Sequence, residues 1–372
     1  GLRYELLREF RWALNLPLGM VLGACFVRTA SRARVFLWTL FGGAAAGAVA
    51  HLMLVRSRQW VLGASAPETY LLAGVRDIGH VISPMGPFLV AAALGATMPS
   101  LDRSRVRRAV WWLGLGLFLA SVLLSQTRSQ WISLTATLVV APLLLREPRR
   151  LLRVPVLAVP LSAMVLVATL VAVPEVSPAR IVSNRWQSLI DPEMRYLTTR
   201  TRQNAIRVEG RAWLDAGPIG WLFGRGLAYR WGDEWRLAYG ERSGEGEMVA
   251  WGHVGYVLYL SNLGLLGLVV YGVLIPLSGL RRGLRLWHNS ADPALRMIGM
   301  LAVATSIGDA IMFAMSASYL QPQMIAPGLI LGAAAGLASG VPARQGQPHR
   351  AALTGCCDPR DGGARKAPWI AT

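Results

Sequence analysis

The chain is poor in charge, nearly without lysine and nearly without cysteine. Only 16% of its 372 residues are charged, where a soluble domain carries about 25%, so the composition argues against a soluble protein. Lys366 is the only lysine. Three cysteines, Cys25 in an apolar run and Cys356-Cys357 in a polar tail, provide neither a disulfide framework nor a metal-ligand spacing. No phosphate-binding glycine loop, dinucleotide fingerprint or nucleophile elbow stands in the polar segments, and no cofactor is expected. Strands of alternating polarity are absent, which excludes an outer-membrane barrel. No secretory signal pattern precedes the first apolar run, and the chain opens on Gly1 rather than Met, so we expect further sequence upstream.

What is present is apolar. Hydrophobic residues make up 53% of the chain and mean hydropathy is +0.41. Apolar runs predict an all-α, polytopic membrane protein of about nine spans, near 13–28, 35–55, 83–98, 109–125, 130–146, 154–173, 251–276, 294–315 and 323–340. The formal net charge of +18 is almost entirely arginine. It falls largely in short loops between spans, which argues against nucleic acid as the partner and for the positive-inside pattern. Arg28, Arg32 and Arg34 share one loop, and Arg103, Arg105, Arg107 and Arg108 a second. Arg146, Arg149, Arg150 and Arg153 form a third, and Arg281, Arg282 and Arg285 a fourth. With these four loops in the cytoplasm, residues 1–12, 56–82, 126–129, 174–250 and 316–322 face outward. An odd number of spans is then expected upstream. The organisation is N-terminal membrane helices (1–173), a large outer loop (174–250), C-terminal membrane helices (251–340) and a disordered cytoplasmic tail (341–372), rich in Pro, Gly and Arg.

The outer loop, of about 75 residues, is too long for a linker. Residues 197–216 read as a helix that Gly217-Pro218 stops. On it Arg200, Arg207 and Arg211 share one face while Glu209 points elsewhere. Arg207 and Arg211 would grip adjacent phosphates, or pair with Glu209, Asp215 or Glu193, or stand in water. Leu222-Phe223-Gly224-Arg225-Gly226-Leu227 is a glycine turn through which backbone N–H groups can approach a ligand. His253, at the mouth of the next span, is placed for general-base work or is an inert interfacial histidine. Arg128, in the notch Ser125–Gln130, is an ionisable group at membrane depth that marks a site or snorkels to headgroups. Arg76 binds a ligand or pairs with Asp77. The loop tryptophans form an interfacial belt. Asp309, inside the eighth span, is expected to hydrogen-bond to another helix.

Three stretches together resemble the O-antigen ligase and polymerase superfamily of bacterial envelope enzymes. They are Thr127-Arg128-Ser129 before an apolar span, the run Arg207…Trp213…Phe223-Gly224-Arg225-Gly226, and His253-Val254-Gly255-Tyr256 leading into Asn262-Leu263-Gly264-Leu265-Leu266-Gly267-Leu268. The resemblance covers about residues 1–340. It departs from the family's pattern at Val254, where Asn is usual, and at Thr127, where Ser is usual. It implies an inner-membrane enzyme whose active site faces the periplasm. Without a metal, a glycan would pass from a polyprenyl-diphosphate carrier to lipid A-core, or in a polymerase to a second lipid-linked glycan, with inversion. It implies His253 as base and Arg207 on the diphosphate as catalytic residues. Arg211, Arg128, Arg202, Arg76 and the turn glycines Gly224 and Gly226 would bind substrate, and inner-membrane lipids would surround the site. Spacing leaves open which of Arg202, Arg207 and Arg211 is the key arginine. A transporter of lipid-linked glycans would need charge along a path through the membrane, whereas here charge gathers at the surfaces.

Overall fold

A computed structural model describes residues 2–62, 128–146, 206–226, 255–315 and 324–340, with single positions between 104 and 203. Among these residues all regular structure is helical. In hydrocarbon a backbone must satisfy its own polar groups, and a helix does so within one segment. The first two helices are α1 (Leu2–Phe26) and α2 (Ala30–Leu62), followed by α3 (Arg128–Leu144). In the loop, α4 (206–214) and α5 (Gly217–Phe223) form a short hairpin. Then come α6 (Gly255–Gly267), a π-helical turn (Leu268–Leu274), α7 (Ile275–Asn289), α8 (Pro293–Met315) and α9 (Ile325–Gly340). All lie in one contact unit, Gly1–Val341; the tail from Pro342 is outside the described residues.

Three stretches are long and apolar enough to cross a bilayer: Ala30–Ala50, Gly255–Asn289 and Pro293–Ala314. Shorter apolar helices cover Leu14–Phe26, Ile132–Leu144 and Ile325–Gly340. These correspond to six of the nine expected runs. The runs at 83–98, 109–125 and 154–173 lie outside the described residues apart from single positions.

Two boundaries differ from the sequence expectation. First, α2 continues to Leu62, through residues assigned above to an outer loop. Arg56 and Arg58 do not stop a helix, because arginine is a good helix former. Second, Arg281, Arg282 and Arg285 stand on α7 and not in a loop. There they share an exposed face with His288, while Gly279, Gly283, Leu286 and Trp287 are buried on the other. The helix outlasts the apolar run because it has become amphipathic.

Packing relies on small residues. Helices α1 and α9 run parallel, with Gly19 and Gly23 against Gly328 and Leu329, Gly332 against Met20 and Gly336 against Ala24. Backbones meet there so closely that no side chain fits between them. Helices α7 and α8 form a hairpin around Ser290–Asp292, with Gly283 and Gly299 in contact. At that end of the bundle the Trp287 indole N–H donates to the Leu145 carbonyl (3.2 Å), and Arg34 pairs with Asp292 (2.9 Å). Three of the four arginine clusters, at Arg34, Arg146 and Arg281–Arg285, therefore begin at one end of the bundle.

Asp292 has a second task there. Its Oδ1 accepts from the Ala294 and Leu295 backbone N–H groups, capping α8 ahead of Pro293. We expect Asp292→Ala to cost about 1 kcal/mol through the lost cap. Arg34→Ala removes only an exposed ion pair and should cost less, about 0–1 kcal/mol. Thermal unfolding in detergent measures both, and an equal loss from the two variants would refute the capping account.

Candidate functional site

The site is built on a break in a membrane helix. α6 begins with an apolar run, but at Gly264 the backbone leaves helical geometry (φ 68°, ψ −167°). Ahead of a break, the last carbonyls lose the N–H groups that would have come from one turn later. In hydrocarbon that loss is tolerated only where another element replaces the missing donors. Here the replacement comes from the loop. The Arg225 backbone N–H donates to the Ser261 carbonyl (2.8 Å), and the Gly226 N–H to the Asn262 carbonyl (3.0 Å).

Two glycines make this clasp possible. Gly224 ends α5 with φ 74°, and its N–H closes on the Gly220 carbonyl (2.7 Å). A Cβ on Gly224 would run into the backbone of Asn262 and Leu263; one on Gly264 would run into Leu222 and Gly224. Both also hold positive φ, which glycine adopts without steric cost. Ser261 and Asn262 are buried behind the clasp, and the Ser261 hydroxyl donates to the Leu258 carbonyl (3.0 Å).

The hairpin carrying the turn is locked by two indoles. Trp213 Nε1 donates to the Trp221 carbonyl (3.1 Å), and Trp221 Nε1 to the Leu214 carbonyl (2.9 Å). Trp213 and Trp221 thus staple one helix to the next, beyond any role in an interfacial belt. Gly217-Pro218 stops α4 as its sequence predicts, and the same pair starts α5 with proline in its first turn.

Along α4, Arg207 and Arg211 are exposed on one side and Glu209 is fully buried on the other. Neither arginine forms an ion pair with Glu209 or Asp215, so that alternative falls away among the described residues. Among the described residues neither carboxylate oxygen of Glu209 has a hydrogen-bond partner. Burial therefore pushes its pKa up to about 8, and the group is largely protonated at neutral pH. Sequence periodicity turned Glu209 away from the arginines; it did not show the group to be buried. The proton linkage gives a test. Folded Glu209 keeps its proton between the ordinary pKa near 4.5 and the raised one, while the unfolded chain loses it, so stability falls as pH rises through that window. Glu209→Gln should unfold at a higher temperature than the native chain at pH 8.5 and nearly with it at pH 5. Parallel melting curves across that range would refute the buried-acid assignment.

The candidate residues divide as follows. Gly224 and Gly226 join the Asn262–Gly264 segment directly, and Arg207 and Arg211 lie on the adjoining helix. Arg128 is the first residue of α3, with its side chain outside the described set. Arg76, Arg202 and His253 lie outside the described residues altogether. Arg225 enters as an addition: it is half-buried, and its backbone makes one of the two clasp bonds. The expectation for Asp309 is corrected. It is buried in α8 and forms no hydrogen bond to another helix among the described residues, its Oδ2 being without a partner. One residue earlier, the Gly308 carbonyl accepts the Ser133 hydroxyl of α3 (3.0 Å), so the interhelical bond is made by backbone instead. No family model matches the chain, and a search of curated proteins gives no match.

Proposed function

We propose that the chain is a membrane glycosyltransferase of the O-antigen ligase type, moving a glycan from a polyprenyl diphosphate to lipid A-core at the periplasmic face of the inner membrane. One observation supports this reading above the others. Two of the stretches that carry the resemblance, Phe223–Gly226 and Asn262–Gly264, lie some forty residues apart in the chain and are clasped by backbone hydrogen bonds. The clasp ties the hairpin that carries Arg207 and Arg211 to the span that His253 precedes in the chain.

In the proposed reaction the acceptor hydroxyl oxygen attacks the anomeric carbon as the carbon–oxygen bond to the diphosphate breaks. His253 takes the hydroxyl proton, and the diphosphate leaves with the bonding electron pair. Charge grows on the leaving phosphate, where Arg207, aided by Arg211 or Arg128, holds it. Single displacement inverts the anomeric centre. Arg202 and Arg76 would contact further phosphates of donor and acceptor.

The test uses protein in nanodiscs with a polyprenyl-diphosphate-linked glycan, excess chelator and lipid A-core. Glycan on lipid A-core, reduced about a hundredfold or more by His253→Ala, is the expected result. Longer lipid-linked glycan would instead assign the chain to the polymerases. No product from folded protein would overturn the transferase reading.

A further inference from the structure

The α4–α5 hairpin carries an apolar surface that is exposed to solvent. Ile219 is 78% exposed and Phe223 60%, with Ile206, Leu214, Trp221 and Leu222 exposed around them. A soluble loop rarely shows so many large apolar side chains together. The clasp fixes where this surface lies. Leu265, the first residue after the break, precedes Arg281 by sixteen residues along the α6–α7 path. At ~1.5 Å per residue that is about 24 Å, most of the ~30 Å thickness of a hydrocarbon core. With Arg281 and Arg282 exposed at one boundary, the break and its bound turn stand close to the other.

The apolar surface is also continuous with that of the span. Directly after Gly264 the span exposes Leu265 and Leu266, and the exposed apolar side continues through Val269 and Val273. Gly264 lies against the Leu222 backbone, which joins this belt to the hairpin. Arg207 and Arg211, exposed beside Leu214, have the reach to place their charges among headgroups while their stems stay in apolar surroundings. The two indoles suit the same layer.

We propose that residues 206–226 form an interfacial membrane element. The apolar face of α5 is covered by the acyl chains of the leaflet at the broken end of α6, and Arg207 and Arg211 stand at headgroup height. Lipid is the occupant of this surface, and the assignment does not depend on the transferase reading.

Spin labels placed on the full chain in phosphatidylethanolamine–phosphatidylglycerol nanodiscs test it. Cys25, Cys356 and Cys357 are changed to serine, and single labels are attached to Ile219→Cys, Phe223→Cys, Asp215→Cys and, as a reference in the span, Val269→Cys. All four positions are exposed or outside the core, so labelling leaves the packing undisturbed. Collisions with oxygen, which partitions into lipid, are compared with collisions with a water-soluble nickel chelate. Labels at 219 and 223 should favour oxygen several-fold, as at 269, while 215 favours nickel. Nickel access at 219 and 223 equal to that at 215 overturns the proposal. Protection of both from either reagent also overturns it, since protein would then cover the face.

Discussion

Gly264→Val is expected to lower glycan transfer at least a hundredfold while leaving much of the helical bundle intact. The φ/ψ pair at Gly264 belongs to a region that other residues enter at about 1–3 kcal/mol of strain. The new side chain would also strike the Leu222 carbonyl and Gly224 N–H, so the turn must back away. Retreat breaks the bonds from Arg225 and Gly226, leaving the Ser261 and Asn262 carbonyls without donors. Each buried carbonyl left unsatisfied costs about 1–3 kcal/mol. The least costly response is to release the α4–α5 hairpin and re-form a straighter helix. Arg207 and Arg211 then no longer stand at a fixed place beside α6, and a misplacement of about 1 Å can already cost a hundredfold in rate. Gly43→Val is the matched control, because a Cβ at Gly43 on α2 meets nothing within 4 Å. Transfer rate, melting temperature and protease access to residues 206–226 should be read on both variants. Near-native transfer by Gly264→Val would remove the clasp from the mechanism.

The break itself was hidden from sequence reading for a physical reason. Gly264 sits among leucines, and the run 251–276 has the hydropathy of an ordinary span. A glycine in such a run is equally compatible with close helix packing, as at Gly283 and Gly299, where the helix stays regular. What separates the two cases is a partner, residues 224–226, that arrives from a distant part of the chain. Glu209 is a similar case. Helical spacing set it opposite Arg207 and Arg211, but its burial depends on what the far side of α4 packs against. By contrast, the Gly217-Pro218 stop, the glycine turn and six of the apolar helices were legible, because local backbone chemistry and transfer free energy determine them. The orientation of Arg281–Arg285 was half legible. Their charge marked the end of the span, yet the helix carried on past it.

Arg207→Ala is expected to reduce turnover by about a hundredfold to a thousandfold, the range seen when one donor to a developing anion is removed. The geometry of α4 sets the expectation. Residues four apart on a helix hold their Cβ atoms about 5–6 Å apart, a span that two guanidinium groups can bridge to neighbouring phosphates of one diphosphate. Among the described residues no carboxylate pairs with either arginine, and Glu209 is buried on the opposite side and largely protonated. The charge on the phosphate bound to the anomeric oxygen increases as that bond breaks, so an arginine there contributes more in the transition state than in the bound donor. Turnover should therefore fall further than KM rises. Arg211→Ala, one turn farther along, should show the smaller loss, and the double variant less than the product of the two if both hold one diphosphate. Arg207→Lys separates charge from geometry. Lysine keeps the positive charge but lacks the planar fork that grips two oxygens at once, so rescue should be partial. If both arginines served only to anchor α4 among lipid headgroups, lysine would restore activity fully, because an ammonium attracts anionic headgroups about as well. Full rescue, or unchanged turnover in the double alanine variant, would leave the hairpin a membrane anchor and move the diphosphate grip to another arginine.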